Sequence, residues 1–167
     1  MRVQEALIAN VRALCHTDER LDAAMIYGSF ASGEADEYSD VEFWLFFDPQ
    51  RRSEIEPRAW CAQIAPLLHH VRNEFGTDVV VFSGLVRGEF HFATADDIAS
   101  VRTWPVRGAA VDRMIVLDRR GALRAVLESL PERPTVPTTG SEIEELCGRF
   151  ANWLVLANHR TLTPAGI

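Results

Sequence analysis

The sequence predicts an α+β fold: a mixed sheet of about five strands flanked by helices, with one further helix near the C-terminus. Three observations carry this. Five short apolar runs, at residues 23–27, 40–47, 78–82, 86–92 and 113–118, have strand length and composition. Four segments, near 3–15, 60–71, 121–130 and 141–157, repeat apolar residues at helical spacing. Only a two-residue Ser83-Gly84 turn and Leu85 separate two of the runs, which predicts a hairpin.

Composition bounds what the chain can be. Its 167 residues suit one domain and part of another. Hydrophobic residues make up 47% and charged residues 25%, ordinary values for a globular chain. A net charge of −7 argues against a partner held by bulk electrostatics, such as duplex nucleic acid or an anionic membrane. All 17 basic residues are arginine, which excludes lysine chemistry and a Walker-type lysine. Cys15, Cys61 and Cys147 are scattered and odd in number, which fits a reducing cytoplasm rather than a disulfide scaffold. Cys61 and Cys147 fall on apolar stripes and are expected in the core. No apolar run approaches the roughly 18 residues of a membrane span, and the N-terminus lacks a signal-peptide pattern.

Val3, Leu7, Val11 and Leu14 give the first helix its stripe. The run AAMIY at 23–27 is the first strand, and Gly28 breaks it. Ser29 is expected to open a short helix whose first amides face a phosphate. Residues 40–47 form the second strand. Alternation puts Asp40, Glu42, Trp44 and Phe46 on one face and Val41, Phe43, Leu45 and Phe47 on the other. The second set must be core. The first begins with two carboxylates whose Cα atoms stand roughly 6.5 Å apart. Such a pair needs solvent, a cation or a metal, because burying it alone is costly. A Gly-Ser turn beside two converging acids suits a triphosphate with one or two divalent metals.

Trp60, Ile64, Leu67, Leu68 and Val71 predict a core-facing helix, kinked or broken at Pro66 and ended by Phe75-Gly76. His69 and His70 near its end are read as surface groups. Residues 78–82 and 86–92 are the hairpin strands, with Arg87, Glu89 and His91 sharing one face. Glu89 is a third acid, a candidate general base or an exposed partner of Arg87. A helical turn near 96–101, a loop, a strand at 113–118 and a helix at 121–130 follow. PERPTVPTTG at 131–140 is a linker with three prolines. Ser141 and Glu144 form a capping-box pattern before a helix carrying Ile143, Leu146, Cys147, Phe150, Trp153, Leu154 and Ala157. The end of the chain, with Thr161, Thr163, Pro164 and Gly166, is expected to be non-helical.

The wording of the chain supports a sharper comparison. ALIANV, MIYGSFASGEADEYSDVEFWLFF, NEFGTDVVVF and LVRGEFHF resemble the two-domain lincosamide nucleotidyltransferases, of the polymerase-beta-like superfamily. The likeness runs over about residues 3–157. It implies a catalytic domain at 1–130, the linker at 131–140, and the first helix of a shortened helical region at 141–167. It implies Mg²⁺-dependent transfer of a nucleoside monophosphate from ATP or GTP to a hydroxyl of lincomycin or clindamycin, with pyrophosphate released. Gly28 and Ser29 would hold the triphosphate. Asp40 and Glu42 would ligate magnesium. Glu89 would take the hydroxyl proton and share the metal. Strand periodicity adds Arg87 or His91 as a group to steady the triphosphate or the departing pyrophosphate. The alternatives are an aminoglycoside or other acceptor, or a non-catalytic nucleotide-binding remnant. The apolar face of the last helix predicts a homodimer.

Overall fold

A computed structural model describes residues 2–134 and 136–162, with side chains through Val155. The chain divides into two compact units, Met1–Pro134 and Thr135–Ile167. In the first unit the order is α1 (Val3–Thr17), β1 (Leu21–Ile26), α2 (Gly28–Ser32), β2 (Val41–Phe47), a 3-10 turn (Arg52–Glu54), α3 (Pro57–Cys61), β3 (Leu67–Arg72), β4 (Asp78–Phe82), β5 (Arg87–Thr94), a 3-10 helix (Ala95–Thr103), α4 (Val111–Met114), β6 (Ile115–Asp118) and α5 (Ala122–Glu128).

The six strands form one sheet in the order β3-β4-β5-β2-β1-β6. β2 and β5 are parallel, and the other neighbours are antiparallel, so the sheet is mixed. The fold is α+β, as predicted, with six strands where about five were expected.

The extra strand comes from residues 67–72, which the sequence pattern assigned to a helix. Helix α3 stops at Cys61, and Pro66 cannot continue one. The Pro66 carbonyl accepts from Ser83 N at 3.0 Å, and β3 then runs antiparallel to β4. Asn73 ties the turn between them: its Oδ1 accepts from the amides of Phe75 and Thr77, while Gly76 adopts φ 78°. Phe75-Gly76 therefore closes a hairpin rather than a helix. β3 is an edge strand, so Leu68 and Val71 are exposed, not core. His70 Nε2 bonds Asp78 Oδ1 at 2.9 Å across the hairpin.

The core follows the alternation of β2. Val41, Phe43, Leu45 and Phe47 are fully buried, and Phe46 joins them. Phe43 stacks on Phe90 of the parallel neighbour at 5.7 Å. Helix α1 contributes Leu7, Val11 and Cys15, and α5 contributes Leu123, Val126 and Leu127. Val3, counted in the predicted stripe, is exposed. Trp60 lies under the sheet and donates its indole N–H to Asp18 Oδ2 at 3.0 Å, joining α3 to the end of α1.

The second unit is a single helix, α6 (Gly140–Leu162), behind its linker. Its capping box is Thr139 with Glu142, two residues before the predicted pair: Glu142 N donates to Thr139 Oγ1, and Glu142 Oε2 accepts from Thr139 N at 3.0 Å. Cys147, expected in a core, is exposed, because among the described residues of its unit no second element packs on the helix. The helix includes Thr161, which the sequence pattern left outside it. The expected non-helical end at 163–167 and the side chain of Ala157 lie outside the described residues. Among the described residues no helix is long and apolar enough to cross a membrane.

Candidate active site

β1 ends at Ile26, and Tyr27 N still reaches Glu42 O at 3.1 Å, keeping β1 and β2 in register to the last residue. The chain then turns at Gly28, whose φ is 67°. A side chain is strained at that angle, and a Cβ on Gly28 would stand 1.6 Å from Glu42 Oε2, so the carboxylate would have to move. Ser29 follows as the second residue of α2. Its carbonyl accepts from Gly33 N and Glu34 N, at 2.9 and 3.0 Å, and so closes this one-turn helix.

Asp40 stands just before β2, Glu42 within it, and Glu89 within β5. The parallel register sets Glu42 directly opposite Glu89, and Val41 opposite Gly88. Three acids from two distant parts of the chain thus reach one patch, beside the Gly28 turn. All three are partly buried. Their mutual proximity is legible in Glu42: burial, then the charges of Glu89 and Asp40, raise its carboxyl above the usual range, and Arg87 offsets only part of this.

Arg87 is the cation of the patch. Its Nη1 pairs with Asp40 Oδ2, and its Nη2 sits 2.5 Å from Glu89 Oε1. Burial works against the guanidinium's charge, yet these bonds hold its pKa above the ordinary value. Periodicity offers Arg87 either as a grip on a triphosphate or as the partner of Glu89; the structure pairs it with Glu89 and also with Asp40.

Two residues further along both strands the face turns aromatic. Trp44 is opposite His91 in the register, with ring centroids 5.1 Å apart. Trp104 stacks on Trp44 at 5.7 Å, and Tyr27 meets Trp104 edge-on at 5.6 Å. Trp104 comes from the end of the 3-10 helix, which Ile98 and Val101 anchor in the core. Burial lowers the His91 pKa, favouring the neutral ring, and Thr77 Oγ1 lies 3.4 Å from its Nε2. Tyr27 is held protonated by burial and by the charges of Glu42 and Glu89. Neither Tyr27 nor Trp104 was picked out as a site residue. Trp104 carries no local signal, since it reaches the patch only through the packing of a later segment.

Among the described residues no three His, Cys, Asp or Glu side chains are gathered closely enough to enclose a metal as they stand. The donor set still fits a hard divalent cation. Three carboxylates face one guanidinium, so the patch carries excess negative charge, and carboxylate oxygen is what Mg²⁺ prefers.

No family model and no curated protein matches the chain. Among solved structures it is similar to a CCA-adding enzyme in complex with CTP, at 15% identity and a TM-score of 0.38. That match covers 77% of this chain and 35% of the other, so the chain spans about a third of that enzyme's length.

Proposed function

We propose that this chain is a nucleotidyltransferase of the polymerase-beta-like type, moving a nucleoside monophosphate from ATP or GTP to a hydroxyl of a lincosamide antibiotic. One observation carries the reading: Asp40, Glu42 and Glu89 share a patch with the Gly28 turn, although 47 residues separate Asp40 from Arg87, the guanidinium that joins it to Glu89. Asp40 and Glu42, with Glu89, would hold Mg²⁺, which when bound screens the triphosphate charge and polarises the reacting phosphoryl group. The Gly28-Ser29 turn, open on its solvent side, would seat phosphate oxygens on backbone N–H groups and the Ser29 hydroxyl. Glu89 would accept the proton of the acceptor hydroxyl as its oxygen bonds to the α-phosphorus and the bond to the pyrophosphate oxygen breaks. Most of the rate would come from positioning and charge neutralisation. Support for the lincosamide acceptor is the wording of the chain around residues 25–47, 73–82 and 85–92.

The net charge of −7 favours a second acceptor class, the cationic aminoglycosides. Both are separated by one assay: Mg²⁺ with ATP or GTP, and lincomycin, clindamycin or an aminoglycoside, read by mass. A nucleotidyl adduct on a lincosamide, absent with Asp40→Asn, is the expected result. No adduct on any acceptor defeats the reading. We also infer a homodimer through α6, whose Ile143, Leu146, Phe150, Trp153 and Leu154 are 48–70% exposed.

A further inference from the structure

We propose that Arg87 is a built-in counter-ion that a divalent metal must displace, so that guanidinium and metal compete for Asp40 and Glu89; this rests on the metal reading above. Arg87 spends two nitrogens on two different carboxylates, one from the residue before β2 and one from β5. Those are oxygens that a metal would need. A guanidinium brings a single charge spread over a planar fork. It can bridge two acids, but it leaves the patch of three carboxylates short of positive charge. Glu42, opposite Glu89, is in no salt bridge among the described residues and feels Arg87 only through its charge. A divalent ion brings twice the charge in a smaller volume and can take all three acids. For it to enter, the Arg87 pairs must break.

The geometry permits that release. The Arg87 side chain is 39% exposed, at the first residue of β5, where its head has a path to solvent. Once freed, it is a phosphate-binding group on the strand that pairs with Glu42, the acid lying against Gly28. The exchange therefore couples two ligands: the metal frees the arginine, and an anionic triphosphate that takes the arginine favours the metal in return. It also gives the folded protein a partly neutralised site in the absence of both.

The test uses the full chain without nucleotide. Mn²⁺ binding is measured by the electron paramagnetic resonance of the free ion for wild type, Arg87→Lys and Arg87→Met. Nitrogen NMR of the arginine side chains is followed during a Mg²⁺ titration, with the Arg87 signals identified by their loss in Arg87→Lys. Arg87→Met is expected to bind Mn²⁺ about tenfold more tightly than wild type. Arg87→Lys, with a compact charge that cannot fork, falls between them. Mg²⁺ should merge the separate Arg87 Nη signals, as a released guanidinium rotates freely. Equal or weaker Mn²⁺ binding by folded Arg87→Met overturns the proposal, as do Arg87 signals that stay separate at saturating Mg²⁺. If circular dichroism shows that Arg87→Met does not fold, the Arg87→Lys comparison and the NMR titration decide. Mn²⁺ binding to none of the three proteins would remove the metal reading itself, and this proposal with it.

Discussion

Glu42 lies so close to Gly28 that a single methyl at residue 28 would stand 1.6 Å from its Oε2. The turn and the acid strand are thus one object: the glycine gives the carboxylate its place. Gly28→Ala should fail twice, by straining a backbone held at φ 67° and by expelling Glu42. The expected cost is about 1–3 kcal/mol of stability and a loss of nucleotidyl transfer of about 10²-fold or more. Thermal unfolding and the transfer assay measure the two separately. Full activity in Gly28→Ala would mean that Glu42 does not need this position.

If the proposed function holds, losing Asp40 or Glu42 should abolish transfer without harming the fold. Asp40→Asn and Glu42→Gln are each expected to lower transfer by about 10³-fold. Glu42→Gln should also stabilise the protein at neutral pH. The folded pKa of Glu42 is raised, first by burial and then by Glu89 and Asp40, so its ionised form is a penalty on folding. That penalty is absent below the ordinary carboxyl pKa. It grows as pH rises through the range between the ordinary and the folded value, and is complete above it. The stability gap between Glu42→Gln and wild type should therefore open with rising pH and vanish in acid. Urea unfolding at a series of pH values reads it. A gap of the opposite sign would mean that Glu42 is favourably paired.

Much of the placement of the candidate residues is legible in the sequence, and the reason is local. Alternation along residues 41–47 assigns both faces of β2, and the Ser83-Gly84 turn announces the β4–β5 hairpin. The misreadings occurred where the decisive contact is distant or where two patterns overlap. Trp60 to Val71 has a helical repeat, yet Pro66 ends the helix and pairing with β4 makes residues 67–72 an edge strand. Thr139-x-x-Glu142 and Ser141-x-x-Glu144 both read as capping boxes, and only the first is formed. The pairing of Arg87 with Asp40 depends on the parallel β2–β5 register, which nothing local encodes. The same holds for Trp104 against Trp44.

The junction of α1 and α3 makes a prediction independent of any activity. Asp18 is 9% exposed and receives two side-chain bonds from Arg20, at 2.8 Å each, and the Trp60 indole N–H. Burial alone would raise its pKa, but the Arg20 and Trp60 bonds hold it below the ordinary value. A lowered folded pKa contributes stability that is present above the ordinary carboxyl pKa and is lost as pH falls through the folded one. Asp18→Asn should cost about 1–3 kcal/mol at neutral pH and should flatten the acid limb of the stability curve. Chemical denaturation from neutral pH down to strong acid checks both. An unchanged acid limb would show that Asp18 is not the group that titrates there.

Helix α6 supplies the last test. Phe150 is 66% and Trp153 70% exposed, and Leu146 and Leu154 are about half exposed, on a helix that is the only element among the described residues of its unit. Apolar side chains at this spacing gain roughly 25 cal/mol for each Å² removed from water. A second α6 offers the same stripe, and a two-fold pairing would bury both at once. Trp153→Glu places a charge in the middle of that contact, where its desolvation would cost far more than the lost ring contributes. Sedimentation velocity at micromolar concentration should show wild type as a dimer and Trp153→Glu as a monomer, with the thermal unfolding of the Met1–Pro134 unit little changed. A monomeric wild type would exclude the dimer. A dimeric Trp153→Glu would place the interface elsewhere on the chain.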